Sequence, residues 1–280
     1  MRMPTWIGGN EPELPALGLG GVFRLCLRIV PMFILVFGGL ALLLLVRIFE
    51  RRAHGIRRPI TPHITVFVCR NALRLMGLKY KRSGVPMLRH GAMVANHSSW
   101  LDIFSLNAAT PIYFVSKSEV SRWLGIGTLA KATGTLFIER DRKQAKAHTK
   151  MLQDRLLAGH KLIFFPEGTS TDGLQVLPFK TTLFASFLSE EVKDDIFLQP
   201  VSVIYHAPPG EDERFYGWWG DMNFGPHFVH TLAARQHGRV EVIYHDPIKV
   251  ADYTDRKALA ASAEALVRIG HLQSRTSRLQ

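Results

Sequence analysis

His97 and Asp102 stand five residues apart, directly after the apolar run from Ala92 to Ala95. A histidine side chain titrates at about pH 6.5, so a neutral imidazole is available near neutrality. Such a group can take a proton from a hydroxyl as that hydroxyl attacks an activated carbonyl. A nearby carboxylate can fix its tautomer and steady the imidazolium that forms. In this arrangement the attacking hydroxyl can belong to the substrate, without a serine nucleophile. Ser99-x-x-Asp102 is also the pattern of a helix capping box. The two readings of Asp102 are compatible, because a helix N-terminus favours a carboxylate.

Three further polar clusters follow. Phe137-Ile138-Glu139-Arg140 puts a guanidinium after an apolar run. Arg140 could hold a phosphate or a carboxylate through two hydrogen bonds, or pair with Glu139 or Asp141. Phe165-Pro166-Glu167-Gly168-Thr169 reads as a tight turn presenting Glu167 and backbone N–H groups, or as a plain strand-to-loop turn. Lys180 follows Pro178-Phe179 at a helix start and is otherwise a solvated lysine. Each cluster is weak alone. Their ordered recurrence points to one site built from a base, its orienter and a cationic anchor.

The elements needed to hold these groups alternate along the chain. Strands are expected at Gly91–Asn96, Ile112–Ser116, Thr135–Ile138, Lys161–Phe165, Phe197–Tyr205 and Val240–Tyr244. Helices are expected at Ser99–Ala109, Glu119–Thr133, Lys143–Ala158, Thr181–Leu188 and Arg256–Ile269. Such alternation predicts an α/β fold, with a largely parallel central sheet flanked by helices. Ligands bind such sheets at the carboxyl ends of the strands, where His97, Arg140 and Glu167 all fall. The α/β domain is expected over 59–272. Residues 208–225, containing Tyr216-Gly217-Trp218-Trp219, read as an insertion-like loop with aromatics leaning to exposure, open to being a lid, a membrane contact or a packed loop, and 273–280 as a frayed tail.

The chain has 280 residues and a formal charge of +12, which calls for an anionic partner. It has no run of five basic residues and no RNA-binding aromatic signature, so an anionic membrane is expected in place of nucleic acid. The two cysteines, Cys26 and Cys69, have no metal-ligand spacing. Ile29 to Val46 carries no charge over 18 residues. As a helix it would extend about 27 Å, close to a hydrocarbon core. Residues 1–58 thus read as an N-terminal membrane anchor, a single helix or a hairpin bent at Gly38-Gly39. Arg47, Arg51, Arg52, Arg57 and Arg58 follow the apolar stretch, against Arg2, Arg24 and Arg28 before it. That excess predicts a cytoplasmic domain. Residues 60–80 read as an interfacial helix, with Arg70 and Arg74 toward headgroups or packed on the core.

At these residues the chain resembles the lysophosphatidic-acid acyltransferase family, within the glycerolipid acyltransferases. Asn96-His97 to Asp102, Gly134 to Arg140, Phe165 to Thr169 and Leu198-Gln199-Pro200-Val201 are similar to its four motifs, and the likeness covers Lys79 to Pro247. It implies a membrane-bound bacterial enzyme of the inner membrane, facing the cytoplasm. The enzyme would move a fatty acyl chain from acyl-CoA or acyl carrier protein to the hydroxyl of a lysolipid, with no metal or prosthetic group. The usual acceptor in the family is 1-acyl-glycerol-3-phosphate, giving phosphatidic acid. The resemblance makes His97 the base, Asp102 its orienter, and Arg140, Glu167, Gly168, Thr169 and Lys180 the acceptor-binding residues. Thr182 stands where many members have glycine. The Trp218-Trp219-Gly220-Asp221 loop resembles bacterial members, some of which acylate lyso-ornithine lipid, an alternative acceptor with a carboxylate in place of a phosphate. A membrane-anchored binding protein without activity is the non-enzymatic alternative.

Overall fold

The computed structural model describes residues 6–123, 125–139 and 144–276. Arg140, Asp141 and Arg142 therefore lie outside the described residues, as do 277–280 of the expected tail. Residues 273–276 are helical.

The sheet grows from β1 (Lys79–Ser83), β2 (Gly91–Ala95), β3 (Tyr113–Lys117), β4 (Leu136–Ile138), β5 (Lys161–Phe164), β6 (Phe197–His206), β7 (Arg239–Tyr244) and β8 (Ile248–Lys249). Their order is β1-β7-β6-β2-β5-β3-β4, with β8 beside β6. The pairings of β6 with β7 and β8 are antiparallel, and the rest are parallel. Every residue of β2 is buried. Met93 and Ala95 join one apolar cluster, while Ala92 and Val94 join the other. Burial on both faces explains why this strand reads as a continuous apolar run.

The first cluster lies under α2 (Thr61–Met76), α3 (Asp102–Asn107) and α6 (Phe224–Ala233), and the second under α5 (Ala145–Leu157) and α7 (Arg256–Thr276). A short helix, α4 (Ile126–Thr133), leads into β4. Thr181–Leu188, expected as an α-helix, is a 3-10 turn over Leu183–Phe187. Glu119–Thr133 divides into a 3-10 turn and α4, with Gly125 between them.

The segment expected as an anchor forms one helix, α1 (Leu19–His54). The hairpin expected at Gly38-Gly39 does not form there. Gly39 instead lies against α2, where an added Cβ would overlap the Val68 side chain. Only 11% of the most apolar window of α1 is buried, so this is not the core helix of a soluble protein. Phe23, Leu27, Val30, Phe33, Ile34 and Phe37 are exposed, which points to membrane association.

The other stripe of α1, at Gly21, Met32, Leu43 and Glu50, is buried along the whole helix. Arg24 Nε donates to the Ala233 carbonyl at 2.8 Å, and Arg28 Nη1 donates to Leu232 and Ala234 at 2.7 Å each. These arginines satisfy the open carbonyls at the end of α6. At the other end, Glu50 accepts from the N–H groups of Ile60 (2.7 Å) and Thr61 (3.0 Å), capping α2.

α2 ends at Met76, so Lys79 and Tyr80 belong to β1 and not to the expected helix. Its deep face is Cys69, Ala72, Leu73 and Met76, while Phe67 is exposed. Arg70, expected to reach for headgroups or the core, donates to the Ala108 carbonyl at the end of α3. Of the readings open to the Trp-containing loop, the structure shows the packed one. Phe215, Tyr216 and Trp219 are buried, because α6 and the N-terminal segment cover them; Trp219 Nε1 donates to the Gly8 carbonyl at 3.0 Å.

Candidate active site

β2 and β5 run parallel and in register, Val94 opposite Phe164, so their carboxyl ends meet at one sheet edge. His97 follows the first and Phe165-Pro166-Glu167 the second. The two rings stack, His97 on Phe165, with centroids 4.0 Å apart and planes at 11°. β6 continues past the end of β2. Asn96 uses that overhang, donating to the Val203 carbonyl and accepting from its N–H, both at 2.8 Å.

His97 Nδ1 lies 2.7 Å from Asp102 Oδ2, with the imidazole side chain 22% exposed and the carboxylate fully buried. The same oxygen accepts from the N–H groups of Ser98 (2.9 Å) and Ser99 (3.2 Å). The Ser99 bond is the reach-back half of a capping box, so Asp102 both caps α3 and orients the imidazole. Its other oxygen accepts from the Tyr205 hydroxyl at 2.8 Å. Burial, and then the charge of Asp102, hold the Tyr205 phenol well above its usual range, so it remains a donor. Nδ1 is engaged by a carboxylate, so Nε2 is the nitrogen open to substrate. Among the described residues it has no hydrogen-bond partner.

Tyr205 has no role in the sequence reading, although a signal existed. Alternation along β6 puts Val201, Val203 and Tyr205 on one face, two residues apart each time, and that face runs beyond the end of β2.

Glu167 is 1% exposed, and its oxygens accept from the N–H groups of His97 (2.7 Å) and Leu177 (2.8 Å). Burial pushes its carboxyl up to about 8, against the pull of these two donors. Its place in the structure is behind His97, tying two loops together. Gly168 takes φ +71°, and a side chain there would press on the Lys180 ammonium, which lies across the turn. Thr169 Oγ1 accepts from the Trp6 N–H at 3.3 Å. Two more backbone bonds close around the histidine loop: Thr171 N–H to the His97 carbonyl and Trp218 N–H to the Ser98 carbonyl, each 2.9 Å. The structure thus gathers His97, Asp102, Glu167, Gly168, Thr169 and Lys180 at one edge; Arg140 lies outside the described residues.

An imidazole oriented by a buried carboxylate, at the carboxyl edge of a largely parallel sheet, is suited to taking a proton from a hydroxyl. The match to known proteins gives the family. Residues 77–204 fit the family model described as Acyltransferase. The chain is 52% identical, over 96% of its length and 98% of the relative's, to a lyso-ornithine lipid O-acyltransferase of Rhodobacter capsulatus. It is 36% identical, over 72% of its length and 79% of the relative's, to a protein of the same name from Brucella abortus. Its fold is similar to the crystal structure of the 1-acyl-sn-glycerophosphate (LPA) acyltransferase PlsC from Thermotoga maritima, with TM-score 0.62 and 19% identity over 92% of this chain and 98% of that one. The chain belongs to the acyltransferase family and is an acyltransferase acting on lysolipids.

Proposed function

We propose that the acceptor is lyso-ornithine lipid. The observation that carries this reading is the end-to-end similarity to the R. capsulatus relative of that name. It favours this acceptor over 1-acyl-glycerol-3-phosphate, the acceptor expected from the motifs. An anion anchor such as Arg140 could hold either a phosphate or a carboxylate, so the motifs alone do not choose between the two acceptors.

In the proposed reaction, His97 Nε2 takes the proton of the acceptor hydroxyl as its oxygen attacks the thioester carbonyl of acyl-CoA or acyl carrier protein. The tetrahedral intermediate collapses, the C–S bond breaks, and the leaving thiolate takes the proton back from the imidazolium. Asp102 holds the tautomer and answers the transient charge. Glu167 positions the backbone of His97. Lys180, across Gly168 and near Thr169, supplies a cation for the acceptor's carboxylate, with Arg140 the second candidate anchor. The exposed face of α1 would keep this edge at the inner membrane, with the domain in the cytoplasm.

The test is acceptor competition in mixed micelles, following thiol release. Lyso-ornithine lipid should be acylated with the higher kcat/KM. A preference for 1-acyl-glycerol-3-phosphate would restore the phosphatidic acid reading, and no thiol release with any lysolipid would refute both.

A further inference from the structure

A second polar site lies at the opposite edge of the sheet. An open cleft of about 630 Å³ is lined by Arg47, Arg51, Arg58, Lys131 and Arg155, with Leu44 and Ile56 as apolar walls. Arg155 and its neighbours fix its place. Arg155 packs over the Tyr113 ring at 4.5 Å and donates to Gly134, while His160 Nδ1 accepts from its Nε. Tyr113 opens β3 and His160 precedes β5, so this is the amino edge. His97 lies past the far end of the neighbouring strand, roughly 15–20 Å away along the strand direction.

The charges here are poorly answered. Glu50 is the carboxylate in contact with the cluster, through Arg47 at 3.1 Å. Its oxygens are already engaged by Ile60 and Thr61. Arg58 and Arg155 use backbone carbonyls of Ala132 and Gly134. Arg51 and Lys131 have no side-chain hydrogen bond among the described residues. Burial and then the mutual repulsion of Arg47 and Arg58 hold the Arg58 guanidinium below its ordinary range. Burial brings Arg155 down to about 10, with repulsion from Arg58 and Arg47 adding to it. Burial and the same guanidinium groups bring His160 down to about 3, so it adds no charge near neutrality. Gathering cations with so little opposite charge costs stability, and an anion would relieve that cost.

The surroundings say which anion. Leu42, Leu44, Leu45, Ile48 and Phe49 of α1 are exposed, and so are Ile56 and Ile60 beyond it. The cations thus sit where an apolar surface gives way to a charged one, as at a headgroup boundary. We propose that this cleft binds the phosphate of an anionic glycerophospholipid, with Arg47, Arg51, Arg58, Lys131 and Arg155 around the phosphodiester and the acyl chains along Leu44 and Ile56. The site is separate from the reacting centre and holds a lipid that is not consumed.

The test uses the full chain in detergent, with bound lipid counted by native mass spectrometry. One dioleoyl-phosphatidylglycerol per chain should be retained at concentrations where dioleoyl-phosphatidylcholine leaves none. His97→Ala should retain it equally. Arg51→Glu with Lys131→Glu should weaken it at least tenfold, and Lys257→Glu, a charge reversal elsewhere on the surface, should not. Should the double reversal fold poorly, Arg51→Gln with Lys131→Gln should still weaken binding severalfold. Wild-type affinity in either double variant, or equal retention of phosphatidylcholine, would overturn the proposal. So would displacement of the lipid by equimolar inorganic phosphate or coenzyme A, which would make this a free-phosphate site.

Discussion

The two edges of the sheet handle charge in opposite ways. At the carboxyl edge, Asp102 accepts four hydrogen bonds and Glu167 two. At the amino edge, five cations crowd a cleft with one committed carboxylate among them. The first arrangement leaves Nε2 of His97 without a hydrogen-bond partner among the described residues and holds the carboxylates behind it in place. The second leaves charge itself open. A reacting centre needs geometry settled before substrate arrives, whereas a holding site gains most when its ligand completes it.

The contrast is most exposed at His97. His97→Ala should lower kcat by about 10²–10⁴-fold, with an unchanged thermal melt. Thiol release at wild-type rate would remove the carboxyl edge as the reacting centre. The amino edge should respond to lipid rather than to turnover. Phosphatidylglycerol at about 100 times its Kd should stabilise the protein by about 2.7 kcal/mol, read as a rise in Tm that the Arg51/Lys131 reversal removes. A Tm indifferent to that lipid would leave the two edges alike.

Glu167 gives the next effect. Glu167→Ala strands the N–H groups of His97 and Leu177, at about 1–3 kcal/mol for each buried donor, measurable by urea unfolding. Its pH dependence has a definite sign. The folded carboxyl titrates at about 8, above the ordinary value of 4.5. The folded state therefore holds the proton more tightly, and this contribution is full below pH 4.5 and lost as pH rises through about 8. Relative to Glu167→Gln, the wild type should lose stability between pH 5 and 9. Tyr205→Phe should act least, since it removes one of four donors to Asp102. A loss of about 0.5–1.5 kcal/mol in transition-state stabilisation is expected, up to roughly tenfold in kcat with little change in KM.

Much of the carboxyl edge was legible in the sequence, because parallel strands announce themselves as short apolar runs and their ends carry the polar residues. The His97–Asp102 spacing allowed two readings of Asp102, and its carboxylate does touch both the His97 imidazole and the Ser99 N–H. What spacing could not tell was direction. Glu167 looks like a substrate contact in sequence yet turns inward, and only the Leu177 loop reveals why. β1 was missed because Lys79, Lys81 and Arg82 make an edge strand without an apolar face. α6 was missed because Gly225 and Pro226 read as loop residues, although proline is tolerated in a first helical turn. Whether the Trp loop is packed or exposed stayed open in the sequence because its cover includes residues near Gly8, distant along the chain. The cationic cleft was invisible for the same reason: its arginines come from α1, the turn after it and α5, and in sequence they register only as net charge and flanking arginines.

The two-ended attachment of α1 has a practical consequence for anyone wishing to handle the catalytic part alone. Arg24 and Arg28 finish α6, Met32 closes part of the core, and Glu50 starts α2. Cutting the chain after residue 58 would leave two helices unfinished and a groove of core exposed along its former length. Such a fragment should aggregate on expression, and a soluble variant is better sought by recolouring the outward stripe of α1 with polar residues while its inward stripe is left untouched.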